Sequence, residues 1–194
     1  TCGIWHPVYL QYSGEVQPLS VMVTKSSAGL RASCKVFSAH TSKTTLHLKS
    51  VTGKVDLLHE CTLQAGEQVV EIPFTQPVLR NWNPLHRGEQ VLYDYSVSVA
   101  GDTAAVRCTT GFRTAELIRE RDSIGESFGF RINGKDLFVR GANLIPPHVF
   151  LPSLTIADYD TLLRRAVEAN CNMLRVWGGG VYLPDVFYSL CDKY

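Results

Sequence analysis

The stretch Leu174–Tyr194, LRVWGGGVYLPDVFYSLCDKY, decides how the C-terminal part of this chain is read. Together with the preceding Cys171-Asn172-Met173 it opens as a continuously apolar run, CNMLRVW. A half-buried strand alternates, whereas a parallel strand covered by helices on both faces is apolar throughout. Three glycines follow, and Pro184 then suits the first turn of a helix. Phe187, Leu190, Cys191 and Tyr194 recur at helical spacing and predict its buried stripe. Upstream, Thr155 and Asp158 read as a capping box with Asp in place of the usual Glu. Behind them Ile156, Tyr159, Leu162, Leu163, Ala166 and Val167 repeat on one helical face, leaving Arg164, Arg165 and Glu168 to water. Helix, buried strand, glycine loop and helix together are the opening of an α/β unit.

Arg175 sits in the middle of that apolar strand. An isolated guanidinium is costly to desolvate, so the sequence predicts a carboxylate partner for it. Spacing leaves two readings open. In one, Arg175 and Trp177 lie near the C-terminal end of a barrel strand, where barrel active sites assemble, and Gly178, Gly179 and Gly180 turn the backbone tightly beside a ligand. In the other, a structural arginine and a core tryptophan stand next to an ordinary turn.

The first part of the chain keeps a different rhythm. From about Pro18 to Phe112 the apolar period is two. Leu30, Ala32, Cys34 and Val36 alternate in one run, Leu46 and Leu48 in the next, then Val70, Ile72 and Phe74. Tyr93, Tyr95, Val97 and Val99 follow, and Val106, Cys108 and Phe112 close the series. Turn residues such as Ser26-Ser27-Ala28-Gly29, Ala65-Gly66 and Gly101-Asp102 separate these runs. About seven short strands within ~100 residues, with no helix between them, match an immunoglobulin-like β-sandwich in size and rhythm. The antibody-type Cys–Trp–Cys signature is absent. After the polar stretch 116–127, read as a linker, FGFRINGKDLFVRG predicts a hairpin about Asn133-Gly134.

Composition adds exclusions. The chain has 194 residues, 45% of them hydrophobic, with a formal net charge of +1. Such a balance offers no general field for nucleic acid or an anionic membrane. No apolar run reaches the ~18 residues of a membrane span. None of the six cysteines forms a C-x-x-C pair, and Cys34 and Cys108 read as small buried hydrophobes. The six histidines lack ligand spacing, so no metal site is expected; no cofactor is expected either. His148 reads as a plain loop histidine.

TCGIWHPVYL, GFRT, FGFRINGKDLFVRGANLIP and AVEANCNMLRVWGGGVY with FYSLCDKY resemble, collinearly and along the whole chain, the β-mannosidases of the glycoside hydrolase family that also contains β-galactosidase and β-glucuronidase. The resemblance implies a mainly β chain with residues 1–13 as the exit strand of a preceding jelly-roll, sugar-binding-like domain. It further implies an immunoglobulin-like sandwich over 14–115, the linker 116–127, and residues 128–194 as the truncated start of a TIM (β/α)8 barrel, with its opening hairpin and first β/α units. The implied activity is retaining hydrolysis of terminal β-D-mannose from glycans, in a lysosomal or secreted protein. The alternatives are a related endo-β-mannosidase or exo-β-glucosaminidase, or a non-catalytic carbohydrate-binding module. Both catalytic glutamates are expected beyond Tyr194, because no Asn-Glu dipeptide occurs in the chain and a whole barrel needs ~250 residues. The fragment alone is therefore expected to be inactive, and its partners to be a β-mannoside glycan and the rest of the parent enzyme.

By the same resemblance Arg175 matches a first-strand arginine that hydrogen-bonds the nucleophilic carboxylate, and Trp177 a tryptophan lining the mannose subsite. Asn143, Gly178 and Gly179 complete the expected substrate-binding set. Three positions depart from the family's usual pattern. Leu144 stands where many members have Trp, Leu183 where they usually have Glu, and His6 where Arg is common. The changes beside the glycine loop are expected to alter substrate contacts.

Overall fold

The structure, a computed structural model, describes residues 8–10 and 14–194. The expected exit strand at 1–13 lies outside the described residues except for Val8–Leu10, which are exposed, and so does His6. The chain is mainly β. It divides into two compact units, one built from Tyr9–Arg80 and Leu92–Phe112, the other including Asn81–Val91 and Arg113–Tyr194.

The first unit contains seven strands: β1 (Val16–Ser26), β2 (Gly29–Ser38), β3 (Ser42–Ser50), β4 (Val55–Leu63), β5 (Gly66–Phe74), β6 (Tyr93–Val99) and β7 (Ala105–Thr110). They form two antiparallel sheets, ordered β1-β2-β5 and β4-β3-β6-β7. Burial follows the alternation expected from the sequence. Ala32, Cys34, Val36, Leu46, Leu48, Ile72 and Val97 are all fully buried. The two inner faces meet through aromatic rings, with Phe74 of β5 edge-on to Tyr95 of β6 at 5.6 Å. Such pairs add directional attraction to the apolar area they bury. Burial also pushes the Cys34 thiol up to about 12, with Cys61 adding to the shift. The outer face of the smaller sheet carries ion pairs, with Lys35 and Glu67 at 2.6 Å and Arg31 and Glu71 at 3.6 Å.

The second unit begins with a small antiparallel sheet of β8 (Ala115–Ile118), β9 (Gly129–Ile132) and β10 (Lys135–Leu137), in the order β10-β9-β8. Here the linker reading needs correcting, since the first residues of 116–127 pair with β9. The rest of that stretch is a tight polar turn: Asp122 accepts backbone N–H bonds from Ile124 and Gly125, and Arg121 bridges Glu126. Polar composition hid these residues because a two-sided exposed hairpin needs no apolar alternation. The Asn133-Gly134 hairpin forms as expected, both residues taking positive φ (51° and 74°).

Next comes β11 (Gly141–Leu144), a short 3-10 turn at Leu151–Ser153, helix α1 (Ile156–Glu168), strand β12 (Met173–Val176) and helix α2 (Asp185–Lys193). β11 and β12 pair in parallel, so β11-α1-β12 is a complete crossover unit. The capping box is present: Thr155 accepts from the Asp158 N–H, while Asp158 accepts from the Thr155 N–H at 2.8 Å. Those bonds hold the Asp158 carboxyl below the usual carboxylate range. Pro184 stands at the N-cap of α2 rather than inside its first turn.

Segment 81–91 belongs with this second unit, not with the antiparallel sheets to which 14–115 was assigned. Polar bonds explain why. The Trp82 indole donates to the Asp192 carbonyl at 2.6 Å, and the Arg113 guanidinium lies 4.6 Å over the same ring. Asn133 donates to the Trp82 carbonyl at 2.9 Å, and His86 meets Asn170 at 3.0 Å.

Candidate functional site

The parallel pair places the expected residues, and its register explains how. Gly141 opposes Met173, Ala142 opposes Leu174, Asn143 opposes Arg175 and Leu144 opposes Val176. A side chain at 141 would collide with the Met173 carbonyl, so glycine permits this close approach of the strands. Asn172 locks the lower end. Its amide oxygen accepts from the Arg140 N–H at 2.9 Å, and its amide nitrogen donates to the Phe138 carbonyl at 3.0 Å. The sequence offered no signal for this role beyond an amide side chain at a strand start.

Period two then divides the strand residues. Leu144, Leu174 and Val176 pack against a core made by Tyr159, Leu163, Leu183 and Phe187. Asn143, Arg175 and Trp177 alternate with them and face away from that core. All three are exposed, Trp177 to 47%. The strand was expected to be covered on both faces; helices cover one.

Arg175 is accordingly not a buried charge. Its Nη1 donates to Asn143 Oδ1 at 3.0 Å, where a carboxylate had been expected. It also lies on the second strand of the parallel pair rather than on the first. The four residues of β11 are too few to show a period, so this strand was not recognised separately. Asn143 and Arg175 line an open cleft of about 900 Å³ together with residues of the aromatic hairpin region, including Phe128, Phe130 and Phe138. Trp177 does not line that cleft.

The glycine loop differs from expectation in mechanism. None of Gly178, Gly179 and Gly180 has positive φ. The turn closes with the Gly180 N–H donating to the Trp177 carbonyl at 3.1 Å. Space is what these positions require. A Cβ on Gly179 would lie 3.0 Å from the Trp177 indole, and one on Gly180 would lie 2.9 Å from Pro146. Gly179 and Gly180 thus let the loop after β12 fold beneath Trp177 and against the loop after β11. Gly178 has nothing within 4 Å of its ideal Cβ position.

Leu183 corrects another expectation. It was placed among changes that alter substrate contacts, yet it is 6% exposed and belongs to the apolar cluster between the helices. Leu144 packs on the same cluster. His148 serves its own loop: its Nδ1 accepts from the Phe150 N–H at 2.9 Å and lies 3.1 Å from the Ser153 hydroxyl.

Chemically, this face presents hydrogen-bond donors beside exposed aromatic rings. Arg175 has donors only, and no ion pair engages it among the described residues. Such a face can bind carboxylate or hydroxyl oxygens. It holds no acid, base or nucleophile of its own.

No protein-family model matches the chain. β-Mannosidase B of Aspergillus flavus is 36% identical over 203 residues, a match that covers the whole chain and 24% of that relative. β-Mannosidase B of Aspergillus oryzae is 37% identical with the same coverage. The chain therefore spans about a quarter of the length of these curated relatives. The crystal structure of the β-D-mannosidase from Dictyoglomus thermophilum superposes with a TM-score of 0.84 at 34% identity, covering 92% of this chain and 23% of that one. Matched along its whole length by proteins of this kind, the chain belongs to the glycoside hydrolase family that contains the β-mannosidases.

Proposed function

We propose that the whole protein is a retaining exo-β-mannosidase that removes terminal β-D-mannose from glycans. In this reading the seven-stranded unit is an immunoglobulin-like sandwich. The second unit is the opening hairpin and first β/α units of a TIM barrel. The observation that carries the reading is similarity at 36–37% identity, from end to end, to two proteins named β-mannosidase B.

The site geometry fits that role in part. Asn143, Arg175 and Trp177 share the face turned away from the helices, and in a closed barrel this is the side that faces the centre. Retaining glycosidases work with two carboxyl groups about 5–5.5 Å apart. Neither is supplied by this face, and in this reading both come from the rest of the protein. Arg175 instead pairs with the nucleophilic carboxylate contributed by the rest of the protein. A guanidinium beside that group keeps it ionised for attack. Trp177 stacks on the apolar face of the mannose ring, and the glycine loop shapes the space around it.

The test is steady-state kinetics of the full-length protein on an aryl β-mannoside, with folding checked by circular dichroism. Arg175→Met removes the charge while roughly keeping side-chain length, and turnover falls on the order of a hundredfold or more. Trp177→Ala raises KM more than it lowers kcat. Near-parental turnover in folded Arg175→Met would refute the placement of the site.

A further inference from the structure

The bond between Arg175 and Asn143 has a direction dictated by chemistry. Arg175 Nη1 and Asn143 Oδ1 are 3.0 Å apart, on residues directly opposed in the parallel register. A guanidinium carries donors and no acceptor, so the amide must turn its oxygen toward Arg175. Its nitrogen then points the other way. Among the described residues Nδ2 has no hydrogen-bond partner, and both side chains border the open cleft.

We infer that Asn143 is a positioning residue for Arg175: its oxygen holds the guanidinium without neutralising it, and the captured amide turns its NH2 outward, so that the pair offers only donors to an oxygen-bearing group in the cleft. The neutrality of the acceptor is what matters. A carboxylate at position 143 would form a charge-assisted pair and compete for the guanidinium. A neutral amide fixes the same geometry and leaves the positive charge for another partner. The backbone supports this precision, because Gly141 brings the strands close and Asn172 clamps their lower end. The inference rests on the function proposed above, in which that partner is the nucleophilic carboxylate. It assigns Asn143 to the arginine rather than to the sugar.

The experiment compares Asn143→Asp, Asn143→Leu and Arg175→Met in the full-length protein, measuring kcat and KM against pH on an aryl β-mannoside, with circular dichroism to confirm folding. Asn143→Asp lowers kcat by roughly tenfold or more while KM stays within about twofold. It also moves the acid limb of the kcat/KM profile to higher pH, because a shared guanidinium holds the nucleophile less firmly ionised. Asn143→Leu lowers kcat less and leaves the acid limb in place, since the charge remains but its position loosens. Two results would overturn the inference. One is a matching rise in KM for both Asn143 variants with an unmoved acid limb, the signature of a sugar contact. The other is unchanged kinetics in both. If folded Arg175→Met keeps parental turnover, the site itself is misplaced and the inference falls with it, an outcome separable from failure at Asn143 alone.

Discussion

The two units use apolar strands to different ends. In the antiparallel sheets the inward residues Ala32, Cys34, Val36, Leu46, Leu48, Ile72 and Val97 are 0% exposed. In the parallel pair no residue of β11 or β12 is buried. The buried side chains near that pair come from elsewhere: Tyr159 and Leu163 on α1, Phe187 on α2, and Leu183 in a loop. Each antiparallel sheet finds its cover in the other sheet. The parallel pair receives helices on one face and presents Asn143, Arg175 and Trp177 on the other. Apolar composition therefore states what a strand can bury, while available partners decide what it does bury.

Hydrogen exchange on this chain as a monomer gives the largest expected contrast. Amides of Cys34, Leu46, Ile72 and Val97 exchange through near-global unfolding, roughly a thousandfold or more slower than those of Met173–Val176. Equal protection in the two sets would dissolve the comparison.

A pair of truncations sharpens it. Leu48→Ala costs ~3 kcal/mol, because it leaves a cavity in a closed core. Leu174→Ala, at a half-buried position, costs about 1 kcal/mol, in line with the smaller apolar area it removes from water. Chemical denaturation of both variants reads the difference, and equal losses would mean that the second core is as closed as the first.

The second unit relies more on local polar devices, and α1 provides the next test. Thr155→Ala costs about 1 kcal/mol by removing the N-cap. The partner carboxyl adds a pH dependence. The Thr155 backbone N–H, and then its hydroxyl, hold Asp158 below its ordinary value. A depressed folded value means that the stabilisation is present above the ordinary Asp range of ~3.9 and is lost as pH falls through the depressed value. Asp158→Asn thus weakens α1 at pH 7, and the difference from the parent shrinks as pH falls through the depressed value, as thermal melts followed by circular dichroism would report. A penalty independent of pH would show that the carboxylate charge contributes nothing.

The smallest effect concerns thiols. With Cys34 buried and its thiol pushed up to about 12, iodoacetamide at pH 8 leaves it unmodified in the native protein. The half-buried Cys171 is labelled before Cys34. Comparable labelling rates would mean that the antiparallel core opens as readily as the parallel unit.

Much of this was legible beforehand. Period-two alternation marked the strands of the first unit, and the capping box, the Asn133-Gly134 hairpin and both helices were readable from local chemistry. Short elements were not. β8 and β11 have four residues each, too few to establish a period, and β8 lies in a stretch whose polar composition suggested a linker. Arg175, Trp177 and Asn143 were all identifiable as candidates, but their relation was not. An apolar run looked like burial on both faces, so Arg175 was expected to need an acid. In the structure it faces a cleft and bonds to Asn143.

Sequence by itself determined the longer local elements and their order, because alternation, capping and turn preferences act over a few neighbouring residues. It also determined the family, through a match that runs the length of the chain. Tertiary structure alone decided which face of β12 the helices cover, and therefore that Leu174 and Val176 go to the core while Arg175 does not. It decided that Asn143 opposes Arg175, since register depends on the close approach at Gly141 and the clamp at Asn172. It placed Trp82 against Asp192, 110 residues away along the chain. Contacts of this kind are set by which surfaces meet, and no local pattern records that.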